Sequence, residues 1–142
     1  MKVEQISIFL ENKAGRLAEV TTILVGAGIN IKALSLADTS EFGILRLIVD
    51  NCEQAQSALK ERGFTVGRTG VVAVGVKHTP GGLNRILQIL DKGGINVEYM
   101  YVYLLQGEEA ILIFRFDRNE LAVEILQQNS VHVLSSEEIC AG

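Results

Sequence analysis

Two asparagines stand in the same phrase: Asn30 in Gly28-Ile29-Asn30-Ile31 and Asn96 in Gly94-Ile95-Asn96-Val97, 66 residues apart in a chain of 142. An asparagine side chain both donates and accepts, so each can read a ligand's polar group or bond its own local backbone. Upstream of each, a glycine-containing loop opens a helix, Glu11–Leu17 ("ENKAGRL") and Lys77–Leu83 ("KHTPGGL"). Backbone N–H groups and the positive helix end suit a carboxylate there. Gly15 and Gly81 let the backbone approach a ligand closely, although turn geometry alone accounts for the same glycines.

Other residue types narrow the chemistry. Arg16 sits at a helix start, against the dipole, and reads as a solvated side chain rather than a carboxylate clamp. His78 lies in a loop ahead of Thr79-Pro80-Gly81 and can reach a ligand, while Pro80, the sole proline, stiffens that loop. His132 alternates with Val131 and Val133 on an edge strand. With no carboxylate or cysteine company the histidines make no metal site, and Cys52 and Cys140 lack a CxxC pattern, so they read as plain thiols without a cofactor. No paired base, nucleophile and oxyanion set converges in the loops, so the chain reads as non-enzymatic.

The elements that must position these residues occur twice. A shift of 66 superposes Gly15 on Gly81, Leu17 on Leu83, Ile23 on Ile89, Leu24 on Leu90 and the two Gly-Ile-Asn triplets on each other. Repetition at such a period means two copies of one supersecondary unit. Apolar residues at helical spacing, Leu17, Val20, Thr21 and Leu24, then Leu83, Ile86, Leu87 and Leu90, predict one helix per copy, closed by Gly28 or Gly94. Ahead of each helix, Ile6, Ile8 and Leu10 and then Val72, Val74 and Val76 alternate as strands. Second strands are expected over Ile31 to Ala37 and Val97 to Leu104. After an extra residue in the second copy's turn, third strands place Leu45, Leu47 and Val49 and then Leu112, Phe114 and Phe116 inward.

Asp50 with Glu53, and Asp117 with Glu120, read as capping boxes for second helices. Fourth strands follow at Phe64 to Arg68 and Val131 to Ser135. Each copy is therefore βαββαβ: an α+β class chain of two tandem ferredoxin-like units, antiparallel sheets with helices on one face, divided as 1–69 and 70–142.

The chain is 48% hydrophobic and 21% charged, with a formal net charge of -4, which excludes the basic face that sequence-independent nucleic-acid binding needs. The amino terminus has no signal-peptide core and no apolar run spans a bilayer, so a cytoplasmic protein without a membrane partner is expected.

A βαββαβ unit with Asn-x-x-Gly-x-Leu in its first loop and Gly-x-Asn-Ile at its second strand resembles the ACT domain, an amino-acid-binding regulatory module, here as two copies covering essentially the whole chain. The motif stands as Asn12 to Leu17 with "GINI", where Ala14 replaces the usual proline, and as His78 to Leu83 with "GINV", where His78 and Thr79 replace asparagine and arginine. The resemblance implies ligand contacts from Asn12, Ala14, Gly15, Arg16, Leu17, Asn30 and Ile31. In the second copy it implies them from His78, Pro80, Gly81, Gly82, Leu83, Asn96 and Val97. It further implies a small amino acid as ligand at an interface between units, a homodimer, and an enzyme of amino-acid metabolism as partner. A ligand-independent interaction module and, behind it, an acylphosphatase-like hydrolase are the alternatives on this fold.

All three tyrosines, Tyr99, Tyr101 and Tyr103, alternate on one second strand and point to one face. Met100 and Val102 are expected to meet the helices, leaving the tyrosines on the helix-free side opposite the small Ala33, Ser35 and Ala37 of the first copy. Rings with wet hydroxyls favour an interface, between domains or in a dimer.

Overall fold

The computed structural model describes residues 3–38 and 41–141, the side chains at 38, 106, 140 and 141 excepted. The Cys140 side chain and the turn of the first copy at 39 and 40 thus lie outside what is described. The chain divides into two compact units, one of Glu4–Thr69 and one that begins at Gly70 and takes in Val3.

The first unit carries β1 (Val3–Glu11), α1 (Arg16–Gly26), β2 (Ile31–Asp38), β3 (Phe42–Val49) and α2 (Cys52–Glu61), and closes with the start of β4 (Thr65–Lys77). The remainder of β4 opens the second unit, followed by α3 (Gly82–Lys92), β5 (Val97–Gln106), β6 (Glu109–Phe116), α4 (Asn119–Gln128), β7 (His132–Leu134) and α5 (Ser136–Ala141). The two separate strands expected on either side of residue 70 are one continuous strand.

In the first unit β3 pairs antiparallel with both β2 and β1, and β1 pairs with β4, so β2 is the edge. In the second, β6 pairs antiparallel with β5 and β4, and β4 with β7, so β5 is the edge. Each sheet buries its alternate apolar positions against two helices. Ile6, Ile8 and Leu10 meet Leu45, Leu47, Val20, Leu24 and Leu59; Val72, Val74 and Val76 meet Leu112, Phe114, Ile86, Leu90 and Leu126.

Helix ends repeat as closely as strands do. Gly28, at φ 72°, donates its N–H to the Val25 carbonyl, and Ile29 donates to Leu24, a Schellman closure that swings the buried Ile29 into the core. Gly94 (φ 70°) and Ile95 repeat it on Asp91 and Leu90. The end of α4 uses the same closure with Ser130 at φ 59°, a left-handed non-glycine residue.

The expected capping boxes are corrected. The side chain of Asn51, not Asp50, caps α2 by accepting from Gln54 N–H at 3.0 Å, and Arg118 occupies the cap position of α4 without a side-chain bond to the helix N–H groups. The aspartates stand one residue too early because they end strands, and their carboxylates face the neighbouring strand instead.

The tyrosine strand is corrected in two respects. Met100 packs on the second core, but Val102 is 52% exposed although it pairs with the buried Leu112. Helices of 11 and 10 residues extend roughly 15 Å, while the ten residues of β5 extend about 33 Å, so the helices cannot cover the strand. Nor is the opposite face without a helix, because the Tyr103 hydroxyl donates to the Ile139 carbonyl of α5 at 3.1 Å. Tyr99, Tyr101 and Tyr103 are all half-buried.

Candidate functional site

Each helix-opening loop is built the same way. Gly15 and Gly81 occupy the N-cap positions at φ 89° and 87°, a left-handed conformation that L side chains adopt at a cost, and neither helix has a side-chain cap. The first helical bonds run from Glu19 N–H to Gly15 O at 2.9 Å and from Arg85 N–H to Gly81 O at 3.0 Å. Ahead of them lie the N–H groups of Leu17 and Ala18, and of Leu83 and Asn84, which have no carbonyl four residues back within the helix. Both loops are pinned to the hairpin turn of their own unit: Asn12 N–H donates to Glu41 O at 2.8 Å and His78 N–H to Glu108 O at 2.7 Å.

The strand starts are fixed by the aspartates. Asp50 accepts at Oδ1 from Asn30 N–H at 3.1 Å and returns its own N–H to Asn30 O at 3.3 Å. Asp117 does the same with Asn96 at 3.0 and 3.1 Å. The backbones of both asparagines are thus held, while their side chains are exposed and carry no hydrogen bond among the described residues. The alternative of a local side-chain to backbone bond is not what these amides make.

Of the other expected contact residues, Asn12, Ala14, Gly15, Leu17, His78, Pro80, Gly81 and Leu83 are exposed, and Arg16, Ile31, Gly82 and Val97 are half-buried. Leu17 and Leu83 begin the apolar helical stripes but are left 39% and 37% exposed. Apolar surface therefore borders the free N–H groups in both units.

Arg16 is not left to solvent alone. Its Nη1 lies 2.9 Å from Glu19 Oε2, its Nη2 3.2 Å from Glu11 Oε1, and its guanidinium sits over the Phe64 ring at 4.9 Å. The sequence pointed to the helix dipole; two nearby carboxylates and an aromatic face outweigh it.

His132 likewise has the carboxylate company that sequence reading denied it, with Nδ1 3.2 Å from Glu109 Oε1 and Nε2 3.2 Å from Glu138 Oε2. Only an imidazolium donates to both. Glu138 also accepts from Ser135 N–H at 3.0 Å and Ser135 Oγ accepts from Glu138 N–H at 3.2 Å, a capping box that opens α5. The Ser-x-x-Glu spacing of Ser135 and Glu138 is the sequence signal for this helix, whereas the strand expected over Val131 to Ser135 ends at the first residue of that box. The Ser135 N–H, followed by His132, holds the Glu138 carboxyl below the usual range.

Among the described residues no group of three or more His, Cys, Asp or Glu is arranged to hold a metal ion. Cys52 is half-buried and in no disulfide among the described residues, with its sulfur 3.6 Å from the Glu4 carbonyl. Among the described residues no helix is long and apolar enough to cross a membrane, which says nothing of a β-barrel.

A family model described as an ACT domain pair matches residues 1–141. The structure is similar to that of protein BT0572 from Bacteroides thetaiotaomicron, with 38% identity, 99% of this chain and 96% of that one covered, and a TM-score of 0.93. It is also similar to the ligand-free regulatory subunit of aspartate kinase from Thermus thermophilus, at 21% identity, 88% and 91% coverage and a TM-score of 0.61. The regulatory subunit from Thermus flavus gives 19% identity, 88% and 90% coverage and 0.59. Among curated proteins nothing matches.

Proposed function

This chain belongs to the ACT domain family as a domain pair, and from that premise we propose that it is a non-enzymatic regulatory protein that senses a small amino acid at ACT domain interfaces and modulates a metabolic partner. The observation that carries the reading is that each unit repeats both halves of such a site, uncapped N–H groups where its first helix opens and a backbone-clamped asparagine with an unbonded side chain just past that helix's other end, about 16 Å away, so one ligand meets both halves only at an interface. The N–H groups match a carboxylate, and the Asn30 and Asn96 amides match the ligand's remaining polar group. Clamping by Asp50 and Asp117 holds the backbone of each asparagine in place before a ligand arrives, which lowers the ordering cost of binding to that of the side chain. The aspartate kinase regulatory subunits among its structural neighbours carry the same fold at low identity and accord with a partner in amino-acid metabolism.

The edges support a homodimer that would complete such a site. β2 and β5 are edge strands of 8 and 10 residues, and Leu34, Leu36, Val102 and Leu104 are exposed along them. Long edges with apolar side chains are surfaces that pair. Ligand would regulate only through unequal affinity for two arrangements of the units.

Calorimetric and thermal-shift titration of the full chain with all twenty amino acids tests the reading. One or a few should stabilise the protein, by about 2.7 kcal/mol at a hundredfold excess over Kd. Asn30→Ala and Asn96→Ala should each weaken binding about tenfold at their own site. Silence from every amino acid would leave the ligand-independent interaction module in its place.

A further inference from the structure

The two units answer each other residue by residue, and at one place the answer is a reversal of charge. In the first unit the Arg16 guanidinium lies over Phe64 and bridges Glu11 and Glu19. The repeat superposes Glu11 on Lys77, Arg16 on Gly82, Glu19 on Arg85 and, past the extra turn residue, Phe64 on Val131. Matched backbone bonds confirm the register: Glu19 to Gly15 as Arg85 to Gly81, and Phe64 to Leu59 as Val131 to Leu126.

Where the first unit has its arginine, the second has a cavity of about 430 Å³, and Lys77, Gly82, Arg85 and Val131 all line it. Two carboxylates have become two cations, the aromatic floor has become a valine, and the central guanidinium has become a glycine. A Cβ on Gly82 would collide with the Lys77 carbonyl oxygen, so position 82 does not admit a side chain without backbone movement. The volume falls within the range of small-molecule pockets.

We propose that this cavity, formed by Lys77, Gly82, Arg85 and Val131 with Ser130 and His132 at its margin, binds a small anion, a carboxylate or phosphate group seated where the first unit seats the Arg16 guanidinium. Arg85 donates from Nη2 to the Asn129 carbonyl at 2.9 Å, which fixes the guanidinium and leaves its other donors for the anion. Lys77 has no ion-pair partner among the described residues, and the Ser130 hydroxyl adds a donor. Glu109 also lines the cavity, and its carboxylate faces the His132 ring. The site lies wholly within the second unit; Gly82 and Arg85 stand in the same opening turn of α3 that the proposed amino-acid site uses, whereas Ser130 and His132 belong to this cavity alone.

Titration of the full chain with inorganic phosphate and, separately, with succinate, followed by amide NMR at Gly82, Arg85, Ser130 and His132, tests this. Saturable shifts at these amides with either anion support the site, and which anion gives them names the head group. In Lys77→Glu/Arg85→Glu, which restores the acidic pair the first unit tolerates, the shifts should disappear. In Lys77→Ala/Arg85→Ala affinity should fall about a hundredfold, roughly tenfold per cation. Shifts absent with both anions, or unchanged in both double variants, would overturn the proposal. Amino-acid sensing is read at the Asn30 and Asn96 amides and the anion site at Ser130 and His132, which the amino-acid site does not include, so either result stands apart from the other.

Discussion

Asn30 and Asn96 have exposed amides because Asp50 and Asp117 hold their backbones from across the sheet. Sequence singled out these asparagines as the members of each triplet with chemistry to spare, but gave their aspartates to helix caps. Capping depends on one residue of phase at the strand end, which spacing alone does not fix. Arg16 was misplaced for a related reason: the helix dipole is visible in sequence, whereas the approach of Glu11, Glu19 and Phe64 is made by the fold. Ser130 offers a test at this scale. It closes α4 at φ 59°, where its counterpart Gly63 closes α2 at φ 86°. Ser130→Gly should relieve left-handed strain and raise stability by about 0.5–1 kcal/mol in urea denaturation, the gain being partly offset by unfolded-chain entropy.

At the scale of elements, periodicity located the first four helices and the strands, because each buries one face and that demand is written at a fixed spacing. It left out α5, which is too short to show a period and owes its position to the Ser135–Glu138 box, His132 and the Tyr103 hydroxyl. Glu138 makes this element sensitive to acid. Its carboxyl is held below the ordinary value, first by the Ser135 N–H and then by His132, so the contribution is present above the unfolded carboxylate range. It is lost as pH falls through the lowered folded value. Hydrogen-exchange protection at Ile139 should therefore drop as pH falls below the ordinary glutamate range. In Glu138→Gln the protection should be weaker at neutral pH and should no longer follow carboxylate titration; an unchanged acid transition would assign it to other groups.

For the whole molecule, the governing fact is duplication with divergence. Exposed leucines on β2 and the exposed stretch of β5 leave each unit with an open edge, and the proposed dimer uses them. Leu34→Lys and Val102→Lys place a charge on these edges and should each shift sedimentation toward monomer if their strand is the one used, with the far-ultraviolet spectrum unchanged. The sequence by itself determined the two-unit organisation, the α+β class, the apolar faces and the glycines that end helices. These follow from burial periods and backbone sterics, which act within a few residues of chain. The tertiary structure alone decided which polar groups meet: the Asp50 and Asp117 clamps, the carboxylates at His132, and a charge reversal turned into a cavity. Hydrogen bonds and ion pairs depend on distances of a few ångströms between residues tens of positions apart, and only the packed fold sets those distances.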